Sequence, residues 1–422
     1  MVRISHAHDV DPGTVPVRAS ARVLLLIALA LVAVGTVVGL VQLWPSEDPR
    51  ADGPENAFAA PGVTFVQAAV EFVQPACERP EPGGAGGEPS PTDQEPAPRC
   101  GEVEVTVLAG ASKGERVSVS VPPEVSTSGL KRGDTLEVMR IPPGEEGAPP
   151  SFGFFSVNRD LPLGILAGMF VLVVALVARL RGILALLGLG FGGYVLVKFM
   201  LPALLTGEPG LSVAVVGASA IMFVVLYLAH GVSVRTSAAL AGSLVGIGIT
   251  ALIGLVAIDR TRLSGISDDT GAMLSTFVAD LDFQGLLTCA VIVAGLGLLN
   301  DVTITQASAV WELRGAGPDL SPLELYRRAM RIGRDHIASS IYTIVFAYAG
   351  TALSVLLLLY FYERPLLSLV STEQIAEEIM MTLASGIGLV LAVPITTAIA
   401  ALTVGAARPA GSGAPAGRDG GS

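Results

Sequence analysis

Hydrophobic and polar positions are segregated along the chain. One polar block, residues 44–160, separates a single apolar stretch at residues 23–43 from a long apolar remainder. Stretches of about 20 apolar residues are long enough to cross a bilayer. Seven such stretches follow the polar block, at residues 163–180, 183–205, 211–229, 237–258, 285–311, 337–360 and 375–404. The pattern predicts a mainly α-helical polytopic membrane protein with about eight transmembrane helices, seven of them within residues 161–404.

The first apolar stretch follows a short tail, residues 1–22, that carries Arg18 and Arg22. A cleaved secretory signal has an apolar core of about 7–15 residues. This stretch is longer, so we interpret it as an uncleaved transmembrane signal anchor. The alternative is cleavage after the small residues 57–59, which lie far from the apolar core.

The distribution of arginine predicts the orientation, because Lys and Arg are enriched in short cytoplasmic loops. With the N-terminus inside, the Arg-rich residues 314–334 and the loop with Arg179 and Arg181 are cytoplasmic. The short outside loops then hold Arg260, Arg262 and Arg364. We therefore expect a protein of the bacterial cytoplasmic membrane with both termini cytoplasmic, ending in a disordered tail at residues 405–422.

The polar block combines a Pro/Gly-rich linker with alternating segments. Residues 102–107 and 116–121 alternate apolar and polar positions, as expected for strands with one buried face. Glycines between them favour a hairpin turn. With further strands expected at residues 63–73 and 135–141, the block predicts a small extracytoplasmic β-barrel or β-sandwich of five or six strands.

Composition excludes several functional classes. Charged residues make up 15% of the chain, against about a quarter in soluble domains. The net charge of −11, carried almost wholly by the polar block, argues against nucleic acid as a partner. Four His and three Cys leave little material for a metal cluster, and the common nucleotide, zinc-protease and hydrolase motifs are missing. We expect no metal, no cofactor and no enzymatic activity; an intramembrane enzyme is the least favoured alternative.

Two of the three cysteines, Cys77 and Cys100, lie in the polar block. An oxidising exterior permits a disulfide between them. In the chain-entropy model a bridge of this span stabilises the fold by about 3 kcal/mol. The alternative is two independent free thiols. Cys289 lies within an apolar stretch and is interpreted as packing.

A row of polar residues interrupts the sixth apolar stretch. If this stretch is one helix, Asp301, Thr305, Ser308 and Glu312 share one face, and Asn300 and Gln306 flank it. We call Asp301, Thr305, Ser308 and Glu312 the polar stripe. Ionisable groups within spans are expensive and suggest function. The stripe is therefore a candidate transport path; the alternative is that the span ends near residue 299 and the stripe lies among lipid headgroups.

A second polar group, Arg334, Asp335 and His336, precedes the seventh apolar stretch. Arg334 and Asp335 are positioned to pair with Asp301 or Glu312, and the pKa of histidine suits proton handling. We interpret the three residues as a candidate cytoplasmic gate. A purely structural histidine is the alternative.

Glycines recur at helical spacing in several apolar stretches. Gly242, Gly246 and Gly254, with Thr250, form one ladder of small residues. Small residues let membrane helices approach closely. In the last stretch, Pro394 precedes two threonines, which predicts either a simple kink or a broken helix of the kind that builds transport sites.

Five segments resemble the YibE/F family of bacterial membrane proteins. They are SVNRDLPLGILAGMF, LRGILALLGLGFGGYVLVKFMLPALLTGEP, AHGVSVRTSAALAGSLVGI, LLNDVTITQASAVWEL and RIGRDHIASSIYTIVFAYAG. The resemblance covers residues 151–404 and, more weakly, the polar block. Many members of the family have Met where Asn300 stands, which leaves Asp301 intact but changes its neighbour. The resemblance implies a multispan protein with a transport-related role and names no substrate.

These features lead to two functional hypotheses. The first is a secondary permease or channel for an ion or small solute that uses the polar stripe. The alternative is a membrane-anchored scaffold whose outside β domain binds a protein partner. Either protein is embedded in the lipid bilayer, and a homo-oligomer is compatible with both.

Overall fold

A computed structural model of the chain describes residues 15–45, 62–74, 101–143, 149–278, 280–361, 368 and 370–405. The chain divides into a helical unit, residues 1–49 and 174–422, and a β unit, residues 50–173. Cys77 and Cys100 lie outside the described residues, so the disulfide stays a prediction.

The β unit is built on one antiparallel sheet. Its strands are β1 (Thr64–Val73), β2 (Glu102–Val107), β3 (Arg116–Ser120), β4 (Thr135–Ile141) and β5 (Ser151–Val157), and a single helical turn, α2 (Pro123–Ser126), follows β3. The strand order is β3-β2-β1-β4-β5. The edge strands β3 and β5 contact each other without pairing in the described sheet. The sheet is therefore curled; no pairing among the described strands closes it, and the barrel or sandwich stays a prediction.

Alternation explains the core of the sheet. Val103 and Val105 of β2 are fully buried, as are Leu136 and Val138 of β4, while the intervening glutamates face outward. The predicted hairpin between β2 and β3 is confirmed by their antiparallel pairing. β5 was not predicted, because its Phe-rich sequence lacks a polar alternation and directly precedes an apolar helix.

The helical unit contains long apolar helices. The helices are α1 (Ala19–Gln42), α3 (Asp160–Val195, which begins in the β unit), α4 (Leu201–Leu205), α5 (Gly210–His230), α6 (Val234–Thr261), α7 (Asp269–Phe277), α8 (Phe283–Ala316), α9 (Pro322–Thr351), α10 (Leu353–Phe361) and α11 (Glu373–Thr403). A π-helical turn joins α3 to α4. Among the described residues, six helical stretches are long and apolar enough to cross a membrane, or seven if α9 and α10, which bend by 67°, count together as one span.

Two of the eight predicted spans form one bent helical stretch, which lowers the number of spans. The second and third predicted spans lie in a single helical stretch, Asp160–Leu205, of 46 residues. Arg179 interrupts it with φ 53° and ψ −138°. A Cβ atom on Gly182 would lie 2.7 Å from the carbonyl oxygen of Val174, whereas eight residues of straight helix span about 12 Å. The chain therefore turns sharply near Arg179.

Apolar side chains cover the outside of α1 and α3. Leu24 and Val41 of α1 are more than two-thirds exposed, and Val177 of α3 is 79% exposed. A soluble protein rarely exposes contiguous apolar surface of this extent. Lipid is the environment that such helices suit.

Glycines set the packing of α6, α8 and α11. A Cβ atom on Gly242 would collide with Thr396 of α11, and one on Gly246 would lie 2.7 Å from Leu299 of α8. A Cβ atom on Gly254 would lie 3.3 Å from the side chain of Val291 in α8. The predicted packing role of this glycine ladder is confirmed.

Two glycines of α11 test this packing, because they lie two residues apart in different surroundings. A Cβ atom on Gly388 would collide with Thr250 of α6, whereas one on Gly386 would meet nothing within 4 Å. We expect Gly388→Ala to destabilise the protein by about 1–3 kcal/mol, the usual cost of overpacking, and to lower its melting temperature in detergent. Gly386→Ala is the matched control and should leave it unchanged or higher. Equal melting temperatures would contradict the packing described.

Candidate functional site

The polar stripe lies on one continuous helix. α8 runs without interruption from Phe283 to Ala316, so the helix does not end near residue 299. Asp301 and Glu312 are exposed within the helical unit, and Thr305 and Ser308 are half-buried. The four side chains therefore share a face that is turned away from the most tightly packed side of α8.

Asp301 meets a residue of the predicted gate. The Nε2 atom of His336 in α9 lies 3.7 Å from Oδ2 of Asp301. The Asp301 side chain is 69% exposed and that of His336 is 27% exposed. The same Nε2 atom is buried and has no hydrogen-bond partner among the described residues. The contact therefore places an imidazole nitrogen of α9 against a carboxylate of the polar stripe.

The other predicted gate residues do not join this pair. Arg334 and Asp335 point to the exposed side of α9, and the described ion pairs include neither residue, nor Glu312. Asn300, next to Asp301, keeps a buried Oδ1 atom without a hydrogen-bond partner in the described part of the chain. The structure thus brings together Asp301 and His336, while Arg334 and Asp335 stay apart from them.

Gln306 has a structural role that its position in the sequence does not reveal. It is 1% exposed, and its Nε2 atom donates a 2.9 Å hydrogen bond to the carbonyl oxygen of Ala329 in α9. A Cβ atom on Gly333 would lie 3.0 Å from its Oε1 atom. Gln306 therefore fastens α8 to α9 from the buried face, opposite the stripe that it was expected to flank.

Buried hydroxyl groups link α8 to α6. Ser243 of α6 and Thr303 of α8 are fully buried, and their hydroxyl oxygens are 2.6 Å apart. Each hydroxyl has one proton: one of the two donates it to the other hydroxyl, and the second donates to a backbone carbonyl oxygen of its own helix, that of Leu299 for Thr303 or of Ala239 for Ser243. Sequence inspection had not singled out this pair; its signal is a hydroxyl residue on the small-residue face of each helix.

Near the end of α8, Arg314 is buried. It is 2% exposed, and its Nη1 atom donates to the carbonyl oxygens of Pro318 and Leu320 at 3.0 and 2.7 Å. These carbonyls belong to the loop between α8 and α9. Arg314 therefore holds this loop in place, a role that counting arginines for topology does not reveal.

A polar cavity lies at the opposite end of α8. Its volume is about 700 Å³, and it is formed by the end of α6, the following loop and the starts of α5 and α8. Its charged lining residues are Asp259, Arg260, Arg262 and Asp282. The polar stripe contributes no residue to this cavity or to the other cavities found in the described residues.

The last helix is not broken at Pro394. α11 continues through it from Glu373 to Thr403. Thr396 and Thr397 are fully buried; Thr397 donates to the carbonyl oxygen of Val393. The helix is continuous, as expected for a kink and not for a broken helix.

The helical unit has long, exposed apolar helices and a closely packed centre of α6, α8 and α11. It also carries a contact between a carboxylate and a histidine. These features are those of a multispan membrane protein with a polar site. The YibE/F-like protein family model matches residues 166–406, more than half of the 422 residues. The chain belongs to this family, as the resemblance predicted. No curated protein and no solved structure was found to match it.

The hydroxyl contact between α6 and α8 gives a matched test on one helix. Thr303→Val removes a buried hydroxyl and leaves Ser243 without its partner, so we expect a loss of about 1–3 kcal/mol. Thr305→Val alters a half-buried residue on the other face and should change stability by less than about 0.5 kcal/mol. Denaturation of the detergent-solubilised protein measures both. An equal loss for the two variants would show that the contact contributes nothing specific.

Proposed function

We propose that the protein is a secondary permease or channel for an ion or small solute in the bacterial cytoplasmic membrane. The contact between Asp301 and His336 carries the proposal, because it joins a carboxylate of the polar stripe to a residue of the predicted gate. Thr305, Ser308 and Glu312 would extend the path along α8. Arg334 and Asp335 would act at its mouth through their charge.

Helix length supports a position of the pair near one membrane boundary. Asp282, at the start of α8, and Asp301 are separated by about 28 Å at 1.5 Å per residue. This distance is close to the thickness of the hydrocarbon core, about 30 Å. If Asp282 lies at one boundary, Asp301 lies near the other, where an exposed carboxylate keeps water. Such a position suits the mouth of a path, and it places Thr305, Ser308 and Glu312 beyond the boundary among the lipid headgroups, as the alternative interpretation of the stripe has it.

The arrangement of the chain ends supports an even number of crossings. Val17, before α1, forms an isolated antiparallel bridge with Val404, after α11, and the amide of Arg18 donates to the carbonyl oxygen of Thr403. Both ends of the helical unit therefore belong on the same side of a membrane, which requires an even number of spans. Counting the bend at Arg179 as a reversal and α9 with α10 as one span makes eight. The arginine distribution favours the cytoplasm for both termini.

The first test is flux through reconstituted protein. Asp301→Asn removes the charge but keeps the size, so the side chain can no longer form an ion pair with His336 or attract a permeating cation. We expect flux to fall about tenfold or more, which corresponds to a loss of about 1.4 kcal/mol. The measurement uses proteoliposomes with an internal pH dye and, in parallel, a panel of radiolabelled cations and small acids.

Asp319→Asn is the matched control for this experiment. Asp319 is exposed in the loop after α8, so its neutralisation changes the net charge equally but should leave flux unaltered. Flux of Asp301→Asn at the level of the parent protein, with normal elution in size-exclusion chromatography, would overturn the transport proposal.

Thiol labelling tests the proposed orientation. In a variant with Cys77, Cys100 and Cys289 replaced by serine, Ser128→Cys in the β unit should react with a membrane-impermeant maleimide in intact cells. Asp319→Cys should react only after permeabilisation, because the proposal places its loop in the cytoplasm. The reverse labelling pattern would refute the orientation.

A scaffold remains the second candidate because the β unit exposes aromatic side chains. Phe65 and Phe155 pack edge to face with ring centres 4.7 Å apart, and Phe155 is 46% exposed on the edge strand β5. Aromatic residues are enriched where proteins bind each other. This candidate predicts that Phe155→Ser releases a co-purifying partner, while Asp301→Asn has no effect on the partner.

A further inference from the structure

Two adjacent glutamates lie inside the helical unit near the start of α11. Glu377 is 8% exposed, and its Oε1 atom is buried without a hydrogen-bond partner among the described residues. Its neighbours on the helix, Ala376 and Met380, belong to an apolar cluster with Leu287 of α8. This carboxyl group is thus placed among apolar side chains, with one of its two oxygens left without a partner.

The charged groups described near Glu377 are all acidic. They are Glu373 and Glu378 of α11 and Asp268, which precedes α7. Ser267 supplies the one hydrogen bond to the Glu377 side chain. Glu373 is already engaged, because its Oε1 atom accepts from the amide and the hydroxyl of Ser264. No described cation therefore compensates a negative charge on Glu377.

Glu378 faces a different part of the interior. Its Oε2 atom is also buried without a described partner. Together with Tyr348 of α9 it lines a cavity of about 380 Å³ whose other walls are almost entirely apolar. The Tyr348 side chain also lies near Ser385 of α11. The cavity therefore brings Glu378 beside the hydroxyl group of Tyr348, between α9 and α11.

A further buried polar atom lies deeper along α11, about 16 Å from Glu377 by helix rise. Thr250 of α6 is 1% exposed, and its Oγ1 atom has no hydrogen-bond partner in the described residues. It lies against Gly388, and its methyl group and the Ser385 hydroxyl both face Gly295. A buried polar atom without a partner requires an explanation, often water or an ion. The hydroxyls of Ser385 and Thr250 extend the polar region from the glutamates towards the centre of the helical unit.

Burial determines whether these carboxyl groups are ionised or neutral. An isolated ionised carboxylate in an apolar interior costs far more than a neutral one, so the group takes up a proton instead. Acidic neighbours add to this preference. The described residues include no group of three or more His, Cys, Asp or Glu side chains that could hold a metal ion, which favours the proton over a metal as ligand.

We propose that Glu377 and Glu378 form an exchangeable proton-binding site within the helical unit, reached through the cavity beside Tyr348. Resting on the proposed transport function, this assigns the proton as the coupling ion. Along α8, Leu287 beside Glu377 and Asp301 are about 21 Å apart, so this site is distinct from the contact between Asp301 and His336.

The test uses dicyclohexylcarbodiimide, an apolar reagent for protonated carboxyl groups. The carboxyl oxygen adds to the central carbon of the reagent, and the carboxyl proton moves to its nitrogen; rearrangement then leaves a stable acylurea. The full-length protein is labelled in lipid nanodiscs and digested for mass spectrometry. We expect label on the peptide containing Glu377 and Glu378, falling about tenfold per pH unit once the pH exceeds the pKa of the site.

Variants identify the labelled group. Glu377→Gln with Glu378→Gln imitates the neutral state and should fold normally but abolish the label on this peptide. Asp319→Asn, a change at an exposed acid, should leave the label unchanged. An unlabelled peptide in folded protein from mildly acidic to mildly alkaline pH, or a label that does not vary with pH, would overturn the proton site.

Failure of this inference is distinguishable from failure of the proposed function. If Asp301→Asn abolishes flux but the α11 peptide is never labelled, transport stands and the proton site is overturned. If the peptide is labelled as expected but Asp301→Asn transports like the parent protein, the proton site stands without the proposed path.

Discussion

The arrangement of the helical unit depends on the close approach of α6, α8 and α11. In lipid, apolar burial gives little driving force between helices, because the lipid tails are as apolar as leucine. Close van der Waals contact and hydrogen bonds must hold the helices together instead. Gly242 and Gly388 lie so close to threonines of the facing helix that a methyl group at either position would collide. These contacts bring the backbones of α6 and α11 together, and Gly246 and Gly254 of α6 admit Leu299 and Val291 of α8. The two sets of contacts together fix how the three helices are rotated about their axes.

The rotation of α8 determines what its polar residues can do. Leu299 and Thr303 face α6, and Gln306 reaches α9 through its amide. Residues two positions along a helix lie on nearly opposite sides, so Asp301 and Thr305 must turn away from this packed face. Asp301 then meets His336 because α9 crosses α8 there. The candidate site is thus a consequence of packing on the opposite face.

Hydrophobic periodicity predicted much of the fold. Strict alternation of apolar and polar residues placed β2 and β3 correctly, and the length of the apolar stretches located α5, α6 and α8. The lengths of the apolar stretches did not reveal the bend at Arg179, because the residues on both sides of it are helical. β5 was missed because consecutive phenylalanines carry no alternation.

The site was harder to predict than the fold. Helical spacing correctly placed Asp301 and Glu312 on one face of α8, but it did not reveal that Gln306 belongs to the buried face. That distinction depends on which side of α8 packs against its neighbours, information that one helix does not contain. Glu377 and Glu378 carry a signal in the sequence, two acids within an apolar stretch, and it is their burial in three dimensions that makes the signal specific.

The carboxyl groups of the helical unit differ in what their surroundings require. Asp301 is largely exposed, so at the membrane boundary proposed for it water reaches the carboxylate and its charge costs little. Glu377 is almost wholly buried among acids and apolar side chains, so its ionised state is strongly unfavourable. A glutamine side chain would fill the same space without an ionisable group and would therefore destabilise the fold less. A carboxyl group held in such a place is therefore better explained by the exchange of a proton than by stability.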